Sequence, residues 1–193
     1  MKRLPGRGRG SHNGRVQPWN VLATSFEGQR DQLLTALRRL GNFRGGGYRN
    51  ILVGNVPDTQ ALLDDVRTAL TTDRLLSTSL AKVVPIEVTV RFDGADAAAG
   101  LGPATEPFLD RLGGGSFFVR VERRGLKGTL VSPTVEREVA DRVWCALESR
   151  GHVPRVAFGD PDFVLAIETL GENAGLALLS RDLRRDYEFV RVR

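Results

Sequence analysis

The stretch Asp162-Phe163-Val164-Leu165-Ala166-Ile167-Glu168-Thr169 is apolar at almost every position. A strand with one wet face alternates, so this one reads as a strand covered on both faces, the pattern of a sheet inside an α/β layer structure. A further strand follows at 175–180. Upstream, residues 132–150 carry the best helix in the chain. Ser132 suits the N-cap, Pro133 the first helical position, and Glu136 and Glu138 favour the positive end of the dipole. Val135, Val139, Val143 and Leu147 share one stripe, and Gly151 stops it. Before the helix, residues 116–124 (Ser-Phe-Phe-Val-Arg-Val-Glu-Arg-Arg) alternate as a strand. Phe117, Val119, Val121 and Arg123 point one way, and Phe118, Arg120, Glu122 and Arg124 the other.

The amino-terminal half has a different order. Residues 19–25 (Trp-Asn-Val-Leu-Ala-Thr-Ser) predict a strand, and Leu33, Leu34, Leu37 and Leu40 a helix ended by Gly41. Residues 50–56 give another strand, with a short partner near Phe43-Arg44 across Gly45-Gly46-Gly47. A helix starts around Asp58, and residues 83–92 return as a strand. The order β-α-β-β-α-β is that of a ferredoxin-like unit. Residues 93–115 read as a linker followed by a short helix near 104–112. The expected organisation is α+β then α/β: a basic arm at 1–18, a ferredoxin-like domain at 19–92 and a second unit at 93–193.

The arm holds Lys2, Arg3, Arg7, Arg9 and Arg15 and no acid, which accounts for the whole net charge of +5. With four glycines, two prolines and almost nothing apolar, it reads as disordered, a cationic tether for phosphates or a solubilising tail. The rest of the chain is neutral, so only segregated charge carries functional meaning there. No apolar run is long enough for a membrane span, and nothing apolar follows the basic start as in a signal peptide. The single cysteine, Cys145, excludes an internal disulfide and a thiolate metal cluster. A reducing, cytoplasmic setting is expected.

Enzyme chemistry finds little support. His12 and His152 have no metal-ligand partner at useful spacing. Cys145, beside Trp144 on an amphipathic helix, reads as a buried thiol. The two Gly-Gly-Gly runs precede strands rather than helix N-termini, and no Gly-Lys-Ser/Thr sequence follows them. Asp160-Pro161-Asp162 reads as a turn, and Glu168 as an ion-pair partner for an arginine. A nucleophile, its base and an oxyanion site do not assemble, so no catalytic residue, metal or cofactor is assigned.

Charge does segregate at 116–128, where Arg120, Arg123, Arg124 and Lys127 face Glu122 alone. Residues 181–193 add Arg181, Arg184, Arg185, Arg191 and Arg193 against three acids. Brought together, the two stretches would form a basic strip able to hold successive phosphates. The bland alternative is that these arginines pair with the acids of 93–110. Aromatic residues for base stacking are sparse: Phe118, Tyr187 and Phe189 are the candidates.

Residues 116–125, a helix containing Glu136, and Asp160-Pro161-Asp162-Phe163-Val164-Leu165-Ala166-Ile167-Glu168 together resemble the THUMP domain. Proteins of that family commonly carry a ferredoxin-like domain ahead of it, as read for 19–92. Trp19-Asn20-Val21-Leu22-Ala23-Thr24 and Lys82-Val83-Val84-Pro85-Ile86-Glu87 look most like the stand-alone members related to the adaptor for tRNA cytidine acetylation. The resemblance implies recognition of tRNA at the acceptor end, with Arg120, Arg123, Arg124 and Lys127 as phosphate contacts by motif match. Arg181 and Arg184 join them as expected RNA contacts on the strength of the basic strip. Many relatives attach a methyltransferase, deaminase or sulfur-transfer domain. This chain stops after the expected last strand, which implies a non-catalytic adaptor presenting tRNA to a separate modifying enzyme. The competing expectation is a protein–protein module that recruits an enzyme without touching RNA. An enzyme with an unrecognised site is the remote third.

Overall fold

A computed structural model describes residues 18–192 of the chain. The expected arm lies outside the described residues, Pro18 excepted. In the first unit, β1 (Val21–Ser25), α1 (Arg30–Leu37), β2 (Asn42–Gly45), β3 (Ile51–Asn55), α2 (Thr59–Thr72), α3 (Arg74–Ser79) and β4 (Leu80–Pro85) follow one another. The sheet order is β2-β3-β1-β4, antiparallel at every step. Strands β1 and β2 therefore run in the same direction with β3 between them. The Asp58 carboxylate starts α2 by accepting the N–H groups of Gln60 (2.8 Å) and Ala61 (3.0 Å). Asp73 does the same for Leu75 and Leu76, and so starts α3, a helix the sequence reading did not anticipate.

The second unit comprises β5 (Val88–Arg91), a 3₁₀ turn at Gly94–Asp96, α4 (Ala97–Leu101), a 3₁₀ segment at Pro103–Phe108, and α5 (Leu109–Leu112). Then come β6 (Ser116–Glu122), α6 (Ser132–Ser149), β7 (Arg155–Val156), β8 (Phe163–Leu170), β9 (Asn173–Ser180) and α7 (Arg181–Asp186). Its sheet order is β5-β9-β8-β6-β7, with β6 parallel to both β7 and β8 and the remaining pairs antiparallel. Helix α6 makes the crossover that a parallel pair requires.

Two expectations are corrected. The strand read over 83–92 is two strands in different sheets. Pro85, which has no N–H to give, closes the first ladder. Ile86 then donates to the Asn20 carbonyl (2.7 Å) and Glu87 to that of Leu176 (2.9 Å), which hands the chain to the second sheet. The N-cap of α6 is Val131, without a side-chain cap, and Ser132 is already helical.

Strand β8 is covered on both faces, as its composition requires. Leu165 and Ile167 pack with Phe117, Val119, Val121 and the α6 stripe of Val135, Val139, Val143 and Leu147. Val164 and Ala166 face the other way, into a core shared with Trp19, Val21, Val83 and Val84 of the first unit. The units are thus one packed body. Gly175 marks the tightest approach, because a side chain there would run into the Trp19 ring. The carboxy-terminal segment completes the join. Val83 donates to the Phe189 carbonyl (2.9 Å), so the segment lines the outer edge of β4.

Candidate nucleic-acid interface

Strand alternation sets the site. The odd residues of β6 are buried under α6, which leaves Phe118, Arg120 and Glu122 on the face toward the first unit. Glu168, on the same face of β8, is fully buried, and Lys82 of β4 is 5% exposed. Lys82 Nζ stands 2.8 Å from Glu168 Oε1 and 3.7 Å from Glu122 Oε1. The Arg124 guanidinium closes the square on Glu168 and, at 4.0 Å, on Glu122. Two cations and two carboxylates therefore neutralise one another at the junction of the two units. A desolvated charge persists only with such partners.

Above this network lies a cleft of about 630 Å³, lined by Arg49, Lys82, Glu122, Arg124 and Arg191. Thr24 Oγ1 and Ser25 Oγ, also in its wall, are buried and accept or donate no hydrogen bond among the described residues. Arg191 is shared with a second cleft of about 480 Å³, lined by Phe118, Arg120, Phe158, Arg184 and Glu188 among others. The two clefts thus form a groove that follows β6 from Phe118 towards Arg124. Lys82 and Arg124 are neutralised at the junction, and Arg49 pairs with Glu27 of the same lining (2.6 Å). The cationic excess, the property that attracts a polyanion, therefore lies at the Arg120, Arg184 and Arg191 end, where Glu188 is the acid of the lining.

The six residues singled out from sequence fall into separate places. Arg120 and Arg184 line the same cleft, so the strand and the carboxy-terminal stretch do meet. Arg120 is 41% exposed and lies 3.8 Å from Glu136, whose Oε1 also accepts the Val121 N–H. Arg184 is held by the carbonyls of Ser180 (3.3 Å) and Pro161 (2.5 Å). Burial pushes its pKa down from the ordinary arginine value. Arg124, only 14% exposed, is taken up by Glu168 and Glu122 and forms the groove floor. Arg123 lies beyond the end of β6, exposed, and donates to the Gly125 carbonyl (2.7 Å), so the alternation that placed it beside Val121 does not reach it. Lys127 is exposed in the loop after β6. Arg181 pairs with Asp162 (2.9 Å) and Asp160 (3.1 Å) in a neighbouring depression that also holds Arg111 and Arg155.

Of the acids at 93–110, Glu106 pairs with Arg150. Asp162 is structural, accepting both the N–H and the hydroxyl of Ser116 at 2.7 Å. Those bonds, the backbone one foremost, hold its carboxyl below the usual range. Tyr187 and Phe189 are corrected from stacking candidates to core residues, 5% and 8% exposed. The Tyr187 hydroxyl donates to Asp64 of α2 (2.8 Å), which pins the tail to the first unit. Cys145, expected to be buried, is exposed. Sequence reading passed over Arg49, Phe158 and the pairing of Lys82, and it counted Arg191 in the basic strip without singling it out as a contact. Only Phe158 left a local signal: an aromatic residue in a glycine- and proline-flanked loop with no apolar period.

No group of three or more His, Cys, Asp or Glu side chains among the described residues could hold a metal ion. No helix of these residues is long and apolar enough to cross a membrane.

The fold has solved counterparts. TrmN from Thermus thermophilus superposes with a TM-score of 0.60 at 22% identity, over 82% of this chain and 44% of that one. PH1313 from Pyrococcus horikoshii gives 0.59 at 10% identity, over 83% and 54%. A 4-thiouridine synthetase, solved as an RNA complex with bound ATP, gives 0.54 at 14% identity, over 83% and 41%. The chain therefore spans about half or less of the length of each. No protein-family model and no curated protein matches it. At these identities the likeness is one of fold: the mixed α/β architecture is shared with part of each of these proteins.

Proposed function

We propose that this chain binds tRNA through the groove along β6 and presents it to a separate modifying enzyme. The observation that carries the reading is the convergence of Arg120, Arg184 and Arg191 on one cleft, contiguous with the Arg49–Arg124 cleft at the unit junction. The fold is shared with a 4-thiouridine synthetase that was solved with RNA, which supports the substrate class. In this reading residues 19–85 act as a ferredoxin-like unit beside a THUMP unit, and the acceptor end lies across their junction. RNA is recognised through backbone shape and through single-stranded ends gripped by charge and stacking, and the groove offers both. Arg124 acts here as a fixed part of the floor rather than as a mobile phosphate ligand, while Arg123 and Lys127 extend the cationic surface beyond β6. The adaptor role rests on the sequence, where no nucleophile, base and oxyanion site come together.

The test is fluorescence anisotropy with unmodified tRNA, comparing the wild type with the variant Arg120→Ala/Arg184→Ala/Arg191→Ala. The reading expects binding by the wild type and a loss of at least tenfold in the variant, with circular dichroism unchanged. Equal affinities would remove the groove from the function and favour the protein–protein module.

A further inference from the structure

Phe158 is 81% exposed, in a loop that also leaves Val153 at 84% and Val156 at 42%. Its position is not loose. Strand β7 pairs with the start of β6, and Ala157 donates to the Phe117 carbonyl (3.1 Å), so the residue after it is set beside Phe118. The Phe118 and Phe158 rings lie 6.0 Å apart between centroids and are tilted by 44°. Phe118 is half-buried against the shared core and so serves as a foundation, while Phe158 keeps its other surface open to solvent. Both rings line the cleft that Arg120, Arg184 and Arg191 also line, with Glu188 the one acid of that lining.

Single-stranded nucleic acid is bound by this combination of an aromatic surface for a base and cations for the adjoining backbone. A protein partner would be met better by an apolar patch with a neutral or mixed rim, and the rim here is mainly positive. Arg184 adds to the case. Its guanidinium is oriented by the Ser180 and Pro161 carbonyls, which fixes a cation at the wall of the cleft that the two rings line.

We propose that Phe158, backed by Phe118, is the stacking platform for one unpaired RNA base, with Arg184 and Arg191 holding the phosphates on either side of it. The proposal rests on the tRNA-binding reading and deepens it by assigning the side chain that receives the base. Stacking of one base on an aromatic side chain corresponds to roughly 5- to 150-fold in affinity.

The experiment compares two RNA hairpins of identical stem, one blunt and one with a four-nucleotide 3′ tail, against wild type, Phe158→Ala and Phe158→Trp. The expected result is that the wild type prefers the tailed hairpin, Phe158→Ala loses about tenfold on that hairpin alone, and Phe158→Trp retains the preference. An abasic scan of the tail should show one position where base removal hurts the wild type and leaves Phe158→Ala unaffected. If the wild type binds with salt-sensitive affinity and Phe158→Ala matches it on both hairpins, the platform is overturned while the groove stands, and the exposed ridge is left to a protein contact. If the wild type binds neither hairpin nor tRNA, the platform falls together with the RNA-binding reading.

Discussion

Lys82 Nζ lies 2.8 Å from Glu168 Oε1, an ion pair that ties a strand at the edge of the first sheet to the central strand of the second. Both side chains are buried, and Glu168 also neutralises Arg124. Removing the carboxylate alone leaves two cations at the junction to share Glu122, at 3.7 and 4.0 Å. Glu168→Leu should therefore destabilise the protein by about 3–5 kcal/mol in urea unfolding. The double variant Lys82→Met/Glu168→Leu should recover a large part of this, because Arg124 keeps Glu122 as its partner. A double variant no more stable than the single one would deny the pair its role.

The carboxy-terminal segment is fastened by Tyr187, whose hydroxyl donates to Asp64 and accepts from Gln60. Tyr187→Phe removes these bonds and keeps the packing against Phe189. A loss of about 1–2 kcal/mol is expected from equilibrium unfolding. Because the same segment carries Arg191 into both clefts, the loss should be accompanied by faster protease cleavage after residue 184.

Gly175 lies under Trp19, where a methyl group would meet the indole and Ile86. Gly175→Ala should cost about 1–3 kcal/mol by overpacking. Trp19→Leu in the same chain should relieve part of that penalty, read as a partial recovery of Tm.

The Asp162 carboxyl is held below its ordinary value of 3.8 by the bonds from Ser116. A carboxylate with a depressed folded-state pKa stabilises the fold above its unfolded value and loses that contribution as the pH falls through the folded one. The Tm difference between the wild type and Asp162→Asn should thus be full at neutral pH and shrink below about pH 4. A difference that stays constant down to pH 2 would show that the carboxylate charge is not the stabilising feature.

Much of the fold was legible because burial leaves a pattern. The unbroken apolar run at 163–167 required cover on both faces, and its cover is α6 on one side and the first unit on the other. The strand at 83–92 misled because hydropathy does not register a change of sheet; only the missing N–H of Pro85 marks it. At the site, alternation along β6 correctly set Phe118 and Arg120 apart from Phe117 and Val119. It could not show that Arg124 would meet Glu168, since that contact joins residues 44 apart in the chain. Phe158 was missed for a related reason. Its exposure depends on the pairing of the two-residue strand β7, which no local period announces.

The most direct measurement is the salt dependence of tRNA binding by the wild type and by Arg184→Ala/Arg191→Ala. Each phosphate contacted contributes a log–log slope of about −0.7 to −0.9. The wild type should show a slope of several such contacts, and the variant one shallower by about two of them. Identical slopes would mean that the cations of this groove touch no phosphate, contradicting the assignment of the β6 groove as the RNA-binding surface.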